Sequence, residues 1–231
     1  MARNKTTSRS KRHLIAKKDP KSPITEQYRT IRTNIQYASV DQAIRSIVVT
    51  STGPMEGKST TTANLAVVFA QQGKKTLLID ADLRKPTAHY TFQLPNTFGL
   101  TSVLTKQAEL MDAVHMTDVE NLFVLTSGPI PPNPAELLAS VSMEYLLKEA
   151  YNLYDFILFD TPPVLTVTDA QVLANLADGS ILVTSSGTTD RDGAIKAKEI
   201  LTSAQAKLLG AVLNNKKADK DTHYYYYYAE H

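Results

Sequence analysis

Short apolar runs that close on a polar or acidic residue, each leading into a loop or helical stretch, recur along this chain. Ile47-Val48-Val49-Thr50 leads into a Gly-containing loop and then a helical pattern reaching Gln72. Lys75 to Asp80, Leu122 to Thr126, Phe156 to Asp160, Ser180 to Thr184 and Leu209 to Leu213 are read as five further strands, most of them separated by helical patterns. A continuous apolar strand has no face fit for water, so strands of this kind belong in a parallel sheet covered by helices on both sides. The expected fold is therefore α/β, a doubly wound, mainly parallel sheet. The 231 residues show no internal repeat and suit one such domain, which buries roughly 70–75% of its unfolded surface.

Local signals refine this layout. Ser22-Pro23 starts a helix that runs to about Tyr37: Ser22 supplies a capping oxygen, and Pro23 occupies a first position where its missing N–H is not needed. Asn133-Pro134-Ala135-Glu136 reads as another helix start with a capping box, at the end of the Pro-rich loop Pro129 to Pro134. Cysteine is absent, which excludes disulfides and thiolate metal sites. The five histidines, His13, His89, His115, His223 and His231, lack metal-ligand spacing. No apolar run reaches the roughly 20 residues of a membrane span, and no apolar segment of a signal peptide opens the chain, so a cytoplasmic location is expected.

Two segments do not fit a core. Arg3, Lys5, Arg9, Lys11, Arg12, Lys17 and Lys18 all precede the first acidic residue, Asp19, and form a basic arm without apolar periodicity. An acidic membrane surface, a nucleic acid or a protein partner would each suit it, as would a solvated role with no ligand. At the other end stand Tyr224, Tyr225, Tyr226, Tyr227 and Tyr228. Five adjacent rings cannot share one face of a strand or helix. The run is either a docking tail or a substrate.

The loop Gly53-Pro54-Met55-Glu56-Gly57-Lys58-Ser59, with Thr60 after it, joins a strand to a helix. Such a loop binds phosphate when glycines let the backbone close round the anion, N–H groups point inward, and a lysine and a hydroxyl reach the terminal phosphates and Mg²⁺. Gly57-Lys58-Ser59 fits, although Thr52 stands where the strict pattern has its first glycine. Two acidic strand ends add weight: Asp80-Ala81-Asp82-Leu83-Arg84 and Asp160. Strand C-termini of a doubly wound sheet converge on one crevice, so all three motifs can meet there.

These motifs resemble those of the bacterial tyrosine kinases that regulate capsule and exopolysaccharide synthesis, in particular the cytoplasmic kinase subunits of Gram-positive bacteria. The resemblance runs from about Pro20 to the tail, and Met55 departs from it, standing where the family commonly has glycine. It implies a P-loop NTPase-like fold with an arm at 1–20, a kinase domain at 21–215 and a tyrosine-rich tail at 216–231. ATP would be bound by residues 53–60, with Lys58 on the phosphates and Mg²⁺ held by Ser59, Asp82 and Asp160. Asp80 would orient the tyrosine hydroxyl or take its proton, Arg84 would meet the transferring phosphate, and Asn214 would contact adenine. The tail tyrosines become phosphoacceptors. Glu26, Arg29 and Arg32, which the residues alone describe as a solvated helix stripe, become an interface in a ring-shaped homo-oligomer.

The resemblance further implies a transmembrane adaptor that recruits the protein to the inner face of the membrane, a protein-tyrosine phosphatase and exogenous protein substrates, with no nucleic acid as principal ligand. From Asn214 to Tyr224 is ten residues, a reach of at most about 33–36 Å, so transfer within or between subunits is open. The alternative is a positioning or partition ATPase on the same scaffold. Those proteins carry a lysine early in the loop, where Gly53 stands here. A nucleotide-binding scaffold with a docking tail is a further alternative, weakened by the three carboxylates.

Overall fold

A computed structural model describes residues 14–38, 43–204 and 207–217. Chain order begins α1 (Ile15–Lys18), α2 (Pro23–Gln36), β1 (Ser46–Ser51), α3 (Lys58–Ala70), β2 (Thr76–Asp80), α4 (Ala88–Phe92), α5 (Leu100–Leu104), α6 (Leu110–Ala113). It continues β3 (Val114–Met116), β4 (Leu122–Leu125), α7 (Pro134–Leu138), α8 (Val141–Leu153), β5 (Phe156–Asp160), α9 (Asp169–Ala174), β6 (Gly179–Ser185), α10 (Arg191–Ser203) and β7 (Lys207–Asn214).

The strands form one sheet in the order β3-β4-β2-β5-β1-β6-β7. Every pairing is parallel except β3 with β4. The six expected strands are present with ends shifted by a residue or two. The short antiparallel edge strand β3 was not anticipated, because Val-His-Met is too short to show a period.

Side chains of the central strands alternate between two cores, as the pleat requires. Ile47, Val49, Leu78 and Leu158 point to the face covered by Leu65 and Phe69 of α3. Val48, Leu77, Ile79, Ile157 and Phe159 point to the other face, against Met143 and Leu146 of α8, Leu173 of α9 and Leu201 of α10. Burial on both faces explains why these strands are apolar throughout.

Helix α3 is buried at nearly every position from Ser59 to Ala70. A helix buried all round needs cover on its outer side as well as on the sheet side, and α1 and α2 supply it. Ala16 of α1 is fully buried; its N–H donates to Asn64 Oδ1 at 3.0 Å, and its carbonyl accepts from Gln71 Nε2 at 3.0 Å. This corrects the expectation that the arm extends to residue 20: its inner end is a helix docked on α3, carrying Lys17 into an ion pair with Asp118. Arg3, Lys5, Arg9, Lys11 and Arg12 lie outside the described residues.

Ser22 caps α2 as expected, accepting from the Thr25 N–H at 3.2 Å, and Pro23 opens the helix. The capping box at Asn133 is not formed. Its side chain makes no cap bond and instead donates to Glu136 Oε2 at 2.7 Å, leaving neither group turned to the helix backbone.

Asn64 holds α1 through an otherwise orphaned buried amide. Asn64→Ala is expected to lower the unfolding free energy by about 1–3 kcal/mol, the usual cost of an unmet buried polar group, measured by urea denaturation. An unchanged midpoint would show that α1 contributes nothing there.

Candidate active site

The site begins where β1 runs into α3. Gly57, at φ +93°, turns the chain into the helix, and a Cβ added there would lie 2.0 Å from Asn214 Nδ2. Only glycine fits that turn. Asn214, at the end of β7, donates Nδ2 to the Glu56 carbonyl at 3.0 Å. The residue expected to contact adenine therefore rests on the backbone of the phosphate loop.

Met55 adopts φ +66° and is 98% exposed. A non-glycine residue in this left-handed region costs on the order of 1–3 kcal/mol, which gives the physical reason for a glycine preference there. Pro54 beside it is also exposed, and Thr60 lies in the first turn of α3.

The start of the loop is braced by a residue whose side-chain role the sequence did not reveal. The Glu56 carboxylate is buried and accepts from the Thr52 N–H at 2.8 Å, the Gly53 N–H at 3.1 Å and the Thr52 hydroxyl. It also accepts from Thr189 Oγ1 at 2.5 Å, tying the loop to the segment after β6. Thr52 is usable in place of the first glycine because its N–H and hydroxyl both serve this brace.

Beneath the loop the three sequence motifs meet. Lys58 Nζ lies 2.9 Å from Asp82 Oδ2, 3.2 Å from Ser59 Oγ and 3.5 Å from Asp160 Oδ1. Burial pulls the pKa of this ammonium down, but Asp160, Asp82 and Asp80 more than reverse that, leaving it above the ordinary lysine value. Ser59, Asp82 and Asp160 thus surround one cation, and a hydroxyl with one or two carboxylates suits Mg²⁺, which takes its other ligands from phosphate and water. Among the described residues no group of three or more acidic or histidine side chains is placed to hold a metal ion.

Asp80 and Asp160 are register neighbours on β2 and β5. Asp80 is fully buried; Oδ2 accepts from the Thr87 and Ala88 N–H groups at 2.8 Å each, while Oδ1 has no hydrogen-bond partner among the described residues. Burial first and the Asp160 charge second push its pKa up to about 7, against the pull of the two N–H groups and Lys58. A carboxylate with a free oxygen and a pKa near neutrality suits a proton acceptor. Asp82, only two residues on, receives the Lys85 N–H at 3.0 Å as well as Lys58.

Arg84 has a partner that the sequence did not reveal. Its Nε and Nη2 both donate to the buried carboxylate of Asp169, each at 3.0 Å. Sequence reading missed Asp169, since an acidic residue opening a short helix has an ordinary explanation in the helix dipole.

The three residues of the α2 stripe also separate. Glu26 and Arg29, three residues apart, pair on an accessible face. Arg32 instead turns inward and donates Nη1 to the Val68 carbonyl in the last turn of α3, at 2.8 Å. Tyr224, Tyr225, Tyr226, Tyr227 and Tyr228 lie outside the described residues.

Known proteins resemble this chain over most of its length. A family model described as an AAA domain matches residues 44–208. The tyrosine-protein kinase YwqD of Bacillus subtilis (strain 168) is 60% identical over 220 residues, covering 95% of this chain and 93% of that protein. The putative tyrosine-protein kinase CapB of Staphylococcus aureus is 46% identical over 230 residues, spanning 100% of both. The crystal structure of the chimerical protein CapA2B2 superposes with a TM-score of 0.86 at 48% identity, covering 89% of this chain and 90% of that one.

A carboxyl raised from 3.8 to about 7 by the fold favours the folded state fully below its unfolded pKa, and that advantage is lost as pH rises through the folded value. Asp80→Asn keeps an acceptor for the Thr87 and Ala88 N–H groups without the charge. Its melting temperature, relative to the parent protein, is expected to rise between about pH 4.5 and pH 7 and to level off above that. A difference that stays constant over that range would show that Asp80 is ionised throughout.

Proposed function

Because this chain belongs to the bacterial tyrosine-protein kinase family, we propose that it transfers the γ-phosphoryl group of ATP to tyrosine hydroxyls, first among them Tyr224 to Tyr228. The observation that carries this reading is the juxtaposition of Lys58 among Ser59, Asp82 and Asp160 with Asp80 and its buried, unpartnered oxygen. Phosphoryl transfer asks a protein mainly for positioning and charge neutralisation. The loop amides and Lys58 hold the phosphates; Ser59, Asp82 and Asp160 hold Mg²⁺. That ion, when bound, neutralises charge on the phosphate oxygens.

Asp80 then acts on the acceptor. A phenol with pKa near 10 arrives protonated at neutral pH. As its oxygen bonds to the γ-phosphorus and the bond to the β-phosphate oxygen breaks, the phenolic proton passes to Asp80 and ADP leaves. A base with pKa about 7 is half available at neutral pH. Arg84 stabilises the charge of the transferring group, and the Asn214 side chain meets the adenine end while fixing the loop.

The wider proposal is a ring homo-oligomer in which the α2 stripe lines the subunit contacts, Glu26 and Arg29 facing the neighbour and Arg32 holding α2 on α3 behind them, and one subunit's tail enters its neighbour's site. Among the described residues no helix is long and apolar enough to cross a membrane. A transmembrane adaptor that recruits the kinase to the inner face of the membrane and assists its activity completes the assembly. A protein-tyrosine phosphatase reverses the modification, exogenous proteins are further substrates, and capsular or exopolysaccharide synthesis is the process regulated.

Each phosphate adds about −1.5 to −2 charges, so complete modification of the run places roughly −7.5 to −10 on the tail. Such a tail is repelled by an acidic site and by its modified neighbours, and release of the ring follows.

Purified protein incubated with Mg²⁺ and labelled ATP, with and without an adaptor fragment, is expected to accumulate phosphotyrosine, and Lys58→Met to abolish it. ATP hydrolysis without phosphotyrosine would favour the partition-ATPase alternative. By light scattering, the phosphorylated protein is expected to be smaller than a variant with Tyr224 to Tyr228 all changed to Phe. Equal sizes would remove the charge-release step while leaving the kinase assignment intact.

A further inference from the structure

Arg84 and Asp169 are 85 residues apart in sequence yet meet through two parallel bonds of 3.0 Å. Asp169 is fully buried, whereas the Arg84 side chain remains 38% exposed. The pair is therefore lopsided: its anion is fixed in the fold and its cation stands at the surface, two residues beyond Asp82.

The mounting of Asp169 is rigid. It opens α9 at the end of the loop that leaves Asp160, and that loop is pinned to the end of β1. Thr161 Oγ1 donates to the Val49 carbonyl at 3.0 Å, Thr50 Oγ1 to the Pro162 carbonyl at 2.8 Å, and the Val164 N–H to the Ser51 carbonyl at 2.9 Å. β1 is the strand that delivers the phosphate loop. Asp169 is thus referenced to the same frame as Lys58.

Two consequences follow from a grip along the Nε edge. A guanidinium held by two parallel bonds has a fixed plane, and its donors on the opposite edge remain for another ligand. The grip also settles a competition. Arg84 feels the Asp82 charge as well as that of Asp169, so without Asp169 the nearby carboxylate for it is Asp82, the one that pairs with Lys58 at 2.9 Å.

Building on the kinase reading above, we propose that Asp169 is a positioning residue for phosphoryl transfer. It holds Arg84 so that the outer edge of the guanidinium meets the terminal phosphate, and it keeps Arg84 off Asp82, which stays available to Lys58 and the metal. Asp169 touches neither nucleotide nor acceptor. Its influence runs through Arg84 alone.

Non-additivity tests this. Asp169→Asn, Arg84→Ala and the double variant of the full chain are compared by calorimetric titration with Mg-ATP and Mg-ADP, and by kcat and KM for a tyrosine peptide. Each single change is expected to reduce the preference for ATP over ADP and to lower kcat roughly 10–100-fold with little change in the peptide KM. The double variant is expected to be no worse than Arg84→Ala. Losses that multiply in the double variant, or an ATP preference untouched by Asp169→Asn, would overturn the proposal.

Should Asp169→Asn fail to fold, Arg84→Lys decides instead, because it keeps the surface charge and loses only the fork. Full retention of kcat and of the ATP preference in Arg84→Lys overturns the proposal, and a loss like that of Arg84→Ala supports it. A wild-type protein that binds both nucleotides but yields no phosphotyrosine would sink the kinase reading. The binding comparison would still decide the role of Asp169.

Discussion

The ammonium of Lys58 is the interaction on which the rest of this site depends. Parallel strands β2 and β5 end side by side, and their register sets Asp80 against Asp160. Two carboxylates so close and so deeply buried, with Asp82 just beyond, repel one another in a medium that screens little. Lys58, contributed by the first turn of α3, is the cation that offsets them. Its reach back to the strand ends fixes where α3 must start, and hence where Gly57 must turn and where the phosphate loop must lie.

That loop in turn is held from both ends. Glu56 satisfies the N–H groups of Thr52 and Gly53, and the Glu56 carbonyl is held by Asn214. With Thr189 also bound to the Glu56 carboxylate, segments after β1, after β6 and at the end of β7 are fastened through a single residue. A loop braced this way presents its remaining amides in a fixed direction, and donors that need no reorganisation when an anion arrives are the effective ones. The left-handed Met55 at its tip is a local strain that such bracing can hold.

Much of this was legible in sequence because a parallel α/β sheet converts sequence pattern into spatial position. An unbroken apolar run such as Phe156 to Phe159 announces a strand buried on both faces, and the polar residue that closes it is placed in the crevice by topology. Asp80 and Asp160 follow from that rule, Asp82 lies two residues further on, Lys58 and Ser59 come from the loop-to-helix motif after β1, and the structure brings all five together.

What was not legible depends on pairings with no local signature. Asn214 with Glu56, Arg84 with Asp169, Arg32 with Val68 and Ala16 with Asn64 join residues 36 to 158 positions apart. Neither period nor spacing encodes such contacts. Helix α1 was lost for a related reason: four residues carry too little pattern, and the need to cover α3 becomes visible only once α3 is seen to be apolar on every side. Arg84 shows the limit of transferring a role by motif alone, since D-x-D-x-R fixes its place in the chain without saying which edge of the guanidinium is already taken.

The division of labour between Asp80 and Asp82 is set by environment rather than residue type. Asp82 faces Lys58 at 2.9 Å, in the place from which a carboxylate can hold a cation. Asp80 lies deeper, with one oxygen committed to backbone N–H groups and the other open beside the Asp160 charge, so that ionisation is delayed to about pH 7. Burial first and the Asp160 charge second raise Asp80, and the same Asp160 charge helps to hold Lys58. On the proposed mechanism, a cation bound at Asp82 and Asp160 screens that charge and so lowers the pKa of Asp80 toward the usual carboxylate range. The cation alone makes the base better ionised but a weaker proton acceptor, and the negative charge of the triphosphate acts in the opposite direction. The match between its pKa and the working pH therefore belongs to the loaded site.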